Sequence, residues 1–313
     1  MTIVLLPDTI DDSPVLPDGA RALRYHPGAP LPDGADEAEA LVVWTLDPRS
    51  LTALTALPRL RWVQTLAAGP DAVLGAGFAP DVLVTSGRGL HDGPVAEHVL
   101  AMTLALVRRV PAMLLAQHER RWALELGGAQ PLHPDGPITT LLDANVTVWG
   151  FGSIGGRLAG LYTALGARVT GVATHAGRRG GFPVVAADDL PGLLAATDVL
   201  VGLLPATPAT REAIGADVMS RLPGGAYMVN AGRGATLDES ALLDALRSGH
   251  LGGAALDVFA TEPLPADSPL WDAPNLLVSP HGAGGRPIGA GELIADNVRR
   301  FVAGEPLRNL VAR

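Results

Sequence analysis

The stretch that decides the fold is Val146–Val172, VTVWGFGSIGGRLAGLYTALGARVTGV. An apolar run, Val146–Trp149, leads into Gly150, Gly152 and Gly155, spaced G-x-G-x-x-G, then an alanine/leucine helix, then a second apolar run from Arg168. The spacing alone is common, but the strand-turn-helix context makes it a dinucleotide fingerprint. Gly150 permits the tight turn and Gly152 lets backbone approach a pyrophosphate. Gly155 lets helix pack closely on strand, and the N–H groups near Ser153 and Ile154 aim at the anion.

A dinucleotide site of this kind expects a carboxylate at the end of the second strand, to bind the adenosine ribose hydroxyls. Here Thr174 and His175 follow the strand, and then Arg178 and Arg179. Small polar groups and arginines suit a 2′-phosphate, which a carboxylate would repel. The expected cofactor is therefore NADP(H) in preference to NAD(H); the competing reading makes Arg178 and Arg179 a solvated loop beside a site that tolerates either.

Outward from this centre, short apolar runs alternate with helical stretches. Strands are expected at Thr2–Leu6, Ala40–Trp44, Trp62–Thr65, Val82–Thr85, Val146–Trp149, Arg168–Val172, Val199–Leu203, Tyr227–Asn230, Gly253–Leu256 and Leu276–Ser279. Continuous rather than alternating hydrophobicity suits strands buried on both faces of a parallel sheet, and the order of elements reads as α/β. Gly93–Glu125 reads as one helix, kinked or broken at Pro111, and Ile288–Phe301 as another that returns to the first domain. The expected division is residues 1–96 with 285–313, and residues 97–284.

Composition bounds the function. The chain has 313 residues, about two domains' worth, with 48% apolar and 18% charged residues. It lacks cysteine, which excludes disulfides and thiol chemistry. It also lacks lysine and carries a formal charge of −9, a poor match for nucleic acid or anionic membrane. No apolar run approaches a membrane span, MTIVLLPDTIDD has no basic n-region and meets proline and aspartate at once, so no signal peptide is expected, and no metal ligand set is read. A cytoplasmic protein is the expectation.

Downstream lie MVNAGRGATLDESALLDALRSGHLGGAALDVFATEPLP and LLVSPHGAG, and upstream LAAGPD at Leu66–Asp71. With the glycine-rich turn, these motifs resemble the D-isomer-specific 2-hydroxyacid dehydrogenases, the group of phosphoglycerate dehydrogenase and the glyoxylate and hydroxypyruvate reductases. The resemblance covers nearly the whole chain. It implies two Rossmann-like, doubly wound parallel-sheet domains, a flavodoxin-like substrate domain and a dinucleotide-binding domain. The expected reaction is hydride transfer between NAD(P)H and a small 2-keto acid, giving the D-2-hydroxy acid.

The family's catalytic arginine matches Arg233, its glutamate Glu262 and its histidine His281. The chemistry asks for the same residue types. Reduction needs a proton for the carbonyl oxygen, and histidine is suited to give one near neutral pH. A carboxylate beside an imidazole favours the imidazolium and fixes the ring, the task read for Glu262. Arg233 can grip the substrate carboxylate and polarise its carbonyl.

Asp257 is implied to anchor the nicotinamide carboxamide. Pro205, Thr207, Ala231, Gly232 and Gly284, on loops that follow strands, complete the candidate cofactor set. Backbone N–H groups around Ala68 and Gly69 are read as holding the substrate carboxylate. Pro70 departs from the family's usual apolar residue and removes a donor there. Arg88 and His91 are expected to face the cleft, whereas Glu97 and His98 are read as helix packing. Trp44 resembles the tryptophan near the substrate in some glyoxylate and hydroxypyruvate reductases. The helix expected at Leu114–Glu125 resembles the family's dimer-facing segment, with Trp122 as anchor, so a homodimer is expected.

Other readings compete; a domain-swapped structural relative without turnover would carry a damaged triad, and this one is intact. Formate dehydrogenases carry glutamine where Glu262 stands, and formate oxidation puts no proton on substrate oxygen. Corepressors that share the fold bind dinucleotide without turnover; the intact Arg233–Glu262–His281 set leaves that dinucleotide-sensing alternative open.

Overall fold

The apolar runs become strands because each is covered on both sides. In the computed structural model, which describes residues 1–132 and 134–312, the chain forms two units, Met1–Asp92 with Gly284–Arg313, and Gly93–Ala283. The first unit carries β1 (Thr2–Pro7), β2 (Ala20–Tyr25), β3 (Ala40–Val43), β4 (Trp62–Thr65) and β5 (Leu83–Thr85). They form a parallel sheet in the order β2-β1-β3-β4-β5, the flavodoxin-like winding. The second unit carries β6 (Asn145–Trp149), β7 (Arg168–Ala173), β8 (Gly177–Arg179), β9 (Phe182–Ala186), β10 (Val199–Gly202), β11 (Tyr227–Asn230), β12 (Gly253–Leu256) and β13 (Leu276–Val278). Their order is β13-β12-β11-β10-β6-β7-β9-β8, parallel except for β8 against β9.

The helices are α1 (Pro48–Ala53), α2 (Asp71–Gly75), α3 (Asp92–Val107), α4 (Val110–His118), α5 (Ser153–Ala164), α6 (Pro191–Leu194), α7 (Ala216–Arg221), α8 (Glu239–Arg247) and α9 (Ala290–Ala303). Alternate residues of one strand feed opposite cores. Val199 and Val201 of β10 pack with Val99 and Met102 of α3 and Leu158 and Tyr162 of α5. Leu200, between them, packs with Met219 of α7 and Leu242 and Leu246 of α8. In the first unit Val4, Leu6, Val42 and Trp62 meet Leu293, Ile294 and Val298 of α9, while Leu5, Leu41 and Val63 face the other core. This two-sided burial is why the strands read as unbroken apolar runs.

The break expected in Gly93–Glu125 is present, since the stretch forms two helices bent by 65°, but its far end needs correction. The break is at Arg109, which takes a left-handed φ of 55°, and Pro111 opens α4, where its missing N–H costs nothing. The second helix ends at His118 rather than Glu125, and a 3-10 turn at Leu124–Leu126 follows. Arg178 and Arg179 lie on β8, one arm of an antiparallel hairpin with β9 that was not among the expected strands. Among the described residues no single helix is long and apolar enough to cross a membrane.

Candidate functional site

In the second unit the strand order reverses between β6 and β10, and the crevice at the carboxyl ends of such strands is where open α/β sheets take ligands. The glycine-rich turn follows β6 there. Gly150 has φ 99°, and a Cβ on it would lie 2.5 Å from the carbonyl oxygen of Leu203, so neither the backbone nor the space admits another residue. Gly152 caps α5, and the space where its Cβ would stand is open. A Cβ on Gly155 would be 3.3 Å from Val148 Cγ1, the close approach of helix to strand.

The hairpin reaches back to this turn. Arg179 Nη1 donates to the carbonyl of Phe151 at 2.6 Å, and its Nη2 to the carbonyl of His175 at 3.4 Å. Arg178 folds onto the hairpin tip instead, donating to the Gly181 carbonyl. Thr174 and His175 are exposed, and no carboxylate follows β7 before Asp188.

The loop after β10 is held by Thr210, whose hydroxyl donates to the Pro205 carbonyl at 2.6 Å and accepts from the N–H of Thr207 at 2.9 Å. Ala231 donates to the Gly202 carbonyl at 3.0 Å, and Gly232 to Asn230 Oδ1 at 3.2 Å. The open cradle at Gly152, the N-terminal end of α5 and the arginines fit a dinucleotide phosphate.

The candidate reacting groups sit on the loops after β11, β12 and β13, neighbours in the sheet. Arg233 follows β11, half-buried, with Nη1 donating to the Gly232 carbonyl at 2.8 Å. A Cβ on Gly234 would fall 1.9 Å from the Phe259 carbonyl. The arginine's loop and the β12 loop therefore touch backbone to backbone, which is the steric reason for glycine after Arg233.

On the β12 loop Glu262 Oε1 accepts the Phe259 N–H at 2.9 Å, while Oε2 lies 2.7 Å from His281 Nδ1. The imidazole thus commits Nδ1 to a carboxylate. His281 has φ 51°, and its N–H donates to the Asp257 carbonyl at 2.8 Å. Beside the pair is a cavity of about 440 Å³, walled by Phe259, Pro263, Leu264, Trp271, Val278 and Pro280.

Asp257 is 1% exposed, and its carboxylate holds the turn that carries His281. Oδ1 accepts the Ser279 hydroxyl at 2.7 Å and the Gly282 N–H at 2.8 Å; Oδ2 accepts the Ala283 N–H at 3.2 Å. His98 joins this cluster through Nε2, 2.9 Å from Ser279 Oγ and 3.3 Å from Asp257 Oδ1. Of the two residues read as helix packing, Glu97 is exposed, whereas His98 is half-buried and packs α3 onto this cluster through its hydrogen bond to Ser279. A histidine one turn into an apolar helix was the available signal.

In the first unit Ala68 and Gly69 are half-buried in the turn after β4. Of Arg88 and His91, one side chain is exposed and the other buried. His91 is buried, its Nε2 donating to the Leu66 carbonyl at 2.7 Å, and its ring stacks on Trp44 with centroids 5.6 Å apart. Arg88 binds Asn309 at 3.3 Å. Gly284 stands beside His91, its Cβ position 3.8 Å from Nδ1.

Comparison with known proteins agrees with this geometry. Residues 100–283 match the family described as D-isomer specific 2-hydroxyacid dehydrogenase, NAD binding domain. The chain is 33% identical to D-3-phosphoglycerate dehydrogenase of Mycobacterium tuberculosis over 97% of its own length, and spans 58% of that relative. A D-isomer specific 2-hydroxyacid dehydrogenase from Xanthobacter autotrophicus, solved with NADPH and MES, superposes with a TM-score of 0.81 at 32% identity, covering 99% of this chain and 98% of that one. An NADPH-dependent glyoxylate/hydroxypyruvate reductase from Sinorhizobium meliloti, solved with NADP and sulfate, gives 0.82 at 29% identity over the same shares. With a reversed-order dinucleotide sheet, a histidine–glutamate pair on its strand-end loops and these relatives, the chain belongs to the D-isomer-specific 2-hydroxyacid dehydrogenase family.

Proposed function

We propose that this protein reduces a small 2-keto acid of the glyoxylate or hydroxypyruvate type to the D-2-hydroxy acid, with NADPH preferred over NADH. The His281–Glu262 contact at 2.7 Å carries the reading. A bound nicotinamide supplies the hydride for C2. His281 gives the proton from Nε2 to the carbonyl oxygen, while Glu262 holds the Nδ1–H and stabilises the charged ring. Arg233 draws the developing negative charge on that oxygen and grips the carboxylate, with the N–H groups of Ala68 and Gly69 as further carboxylate donors. Asp257 keeps the His281 turn in place and meets the carboxamide.

The cofactor is held by Gly150, Gly152, Ser153, Ile154 and Gly155 at the phosphates, and by Thr174, His175, Arg178 and Arg179 at the 2′-phosphate. Pro205, Thr207, Ala231, Gly232 and Gly284 line the remainder. The preference for NADPH rests on the missing carboxylate after β7 and on Arg179, which already lies against the glycine-rich turn. The relatives named as dehydrogenases and reductases favour turnover over dinucleotide sensing. We further propose a cytoplasmic homodimer that docks through the exposed apolar side of α4 and the segment after it, where Leu114, Leu115 and Trp122 are 60%, 59% and 89% exposed.

The test is loss of NADPH absorbance with a panel of 2-keto acids, glyoxylate and hydroxypyruvate included. Turnover with either supports the reading; cofactor binding with no turnover on any acid overturns it. NADH preferred by about tenfold, ~1.4 kcal/mol of differential stabilisation, would reverse the cofactor assignment.

A further inference from the structure

His98 stands on α3, outside every role the reaction assigns. Ser279 donates its hydroxyl hydrogen to Asp257 Oδ1 at 2.7 Å, so its oxygen meets His98 as an acceptor and the imidazole carries its hydrogen on Nε2. That N–H lies 2.9 Å from Ser279 Oγ and 3.3 Å from Asp257 Oδ1. A carboxylate as buried as Asp257 is costly unless its lone pairs are met. Ser279, Gly282 and Ala283 meet it from the turn itself; His98 meets it from a different element. In the middle of that turn His281 holds a left-handed backbone with φ 51°. A residue with a Cβ keeps such a conformation only where its surroundings over-determine it.

We propose that His98 is a positioning residue: through Ser279 and Asp257 it pins the 279–283 turn to α3 and so sets the direction of the His281 ring. It touches no reacting atom. The inference rests on the proposed role of His281 as proton donor, and its test separates the two.

The variants are His98→Leu, Ser279→Ala and His98→Gln, whose amide nitrogen reaches the place of Nε2. His98→Leu and Ser279→Ala should lower kcat about 10–100-fold, the scale of a small misplacement of a reacting group, with KM for the keto acid within about twofold. His98→Gln should recover most of the loss. A second measurement needs no turnover: ¹⁵N imidazole NMR of the full chain without cofactor. It should show His98 as the Nε2–H tautomer, and a His281 Nδ1–H signal that shifts in both His98→Leu and Ser279→Ala.

Wild-type kcat in both variants, an unmoved His281 signal, or an Nδ1–H tautomer for His98 would each overturn the proposal. Should His98→Leu fail to fold, Ser279→Ala, which removes one oxygen atom, decides alone. If the wild-type chain turns over no 2-keto acid, the reaction reading falls, and the His281 signal still decides the role of His98.

Discussion

His281 divides its ring between two tasks, with Nδ1 2.7 Å from Glu262 and Nε2 left for chemistry. Replacing it with alanine removes the proton donor but none of the groups proposed for the phosphates. Steady-state kinetics of His281→Ala should show kcat lower by roughly 10²–10⁴-fold, while fluorescence titration finds NADPH bound as in wild type. Glu262→Gln keeps an acceptor for Nδ1–H and removes the charge that stabilises the imidazolium, so it should lose turnover with little change in KM. Equal rates for Glu262→Gln and wild type would show that the carboxylate only orients the ring. Arg233, Glu262 and His281, the proposed reacting residues, stand out in the sequence because each lies in a dense local motif. His98 does not: its partner Ser279 is 181 positions away, and only the packing of α3 against the end of β13 joins them.

At the scale of the element, the β8–β9 hairpin ties the outer edge of the sheet to the glycine-rich turn through Arg179. Arg179→Ala should weaken NADPH by about tenfold, ~1.4 kcal/mol of lost charge-assisted bonding, and NADH far less; paired titrations with both cofactors check this. On α9, Asp296 accepts from Arg299 at 2.9 Å and Arg300 at 3.0 Å, and these hydrogen bonds hold its carboxyl below the usual carboxylate range. A lowered folded value means stability that is present above the ordinary carboxylate range and lost as pH falls through it. Urea unfolding should therefore find Asp296→Asn less stable than wild type at neutral pH, by less than about 1 kcal/mol for so open a cluster, with the gap closing in acid.

The sequence showed most strands because they are apolar on both faces, and hid β2 and β8, edge strands without an apolar run. ARALRY in β2 and GRR in β8 carry arginine outward and are held by backbone pairing with one neighbour. The end of α4 was misplaced because Leu114–Glu125 keeps good helix formers past His118, where the structure turns.

For the whole molecule, the alternation of runs implied parallel α/β sheets, and the two windings are those that the family resemblance implied. Assembly was read from the resemblance. The exposed leucines of α4 and Trp122 are an apolar patch of the kind that marks an interface. Sedimentation should give twice the chain mass for the wild type, and Leu115→Glu, which puts a charge into that patch, should give the single chain. A wild-type monomer at micromolar concentration would refute the dimer.

The left-handed backbone at His281 sets stability against turnover at one position. Glycine adopts that φ without penalty, and asparagine with little. A library ranked by heat tolerance alone would therefore enrich glycine at 281 and discard the proton donor with it. Engineering for robustness in this protein must hold that codon fixed and look for its gains elsewhere.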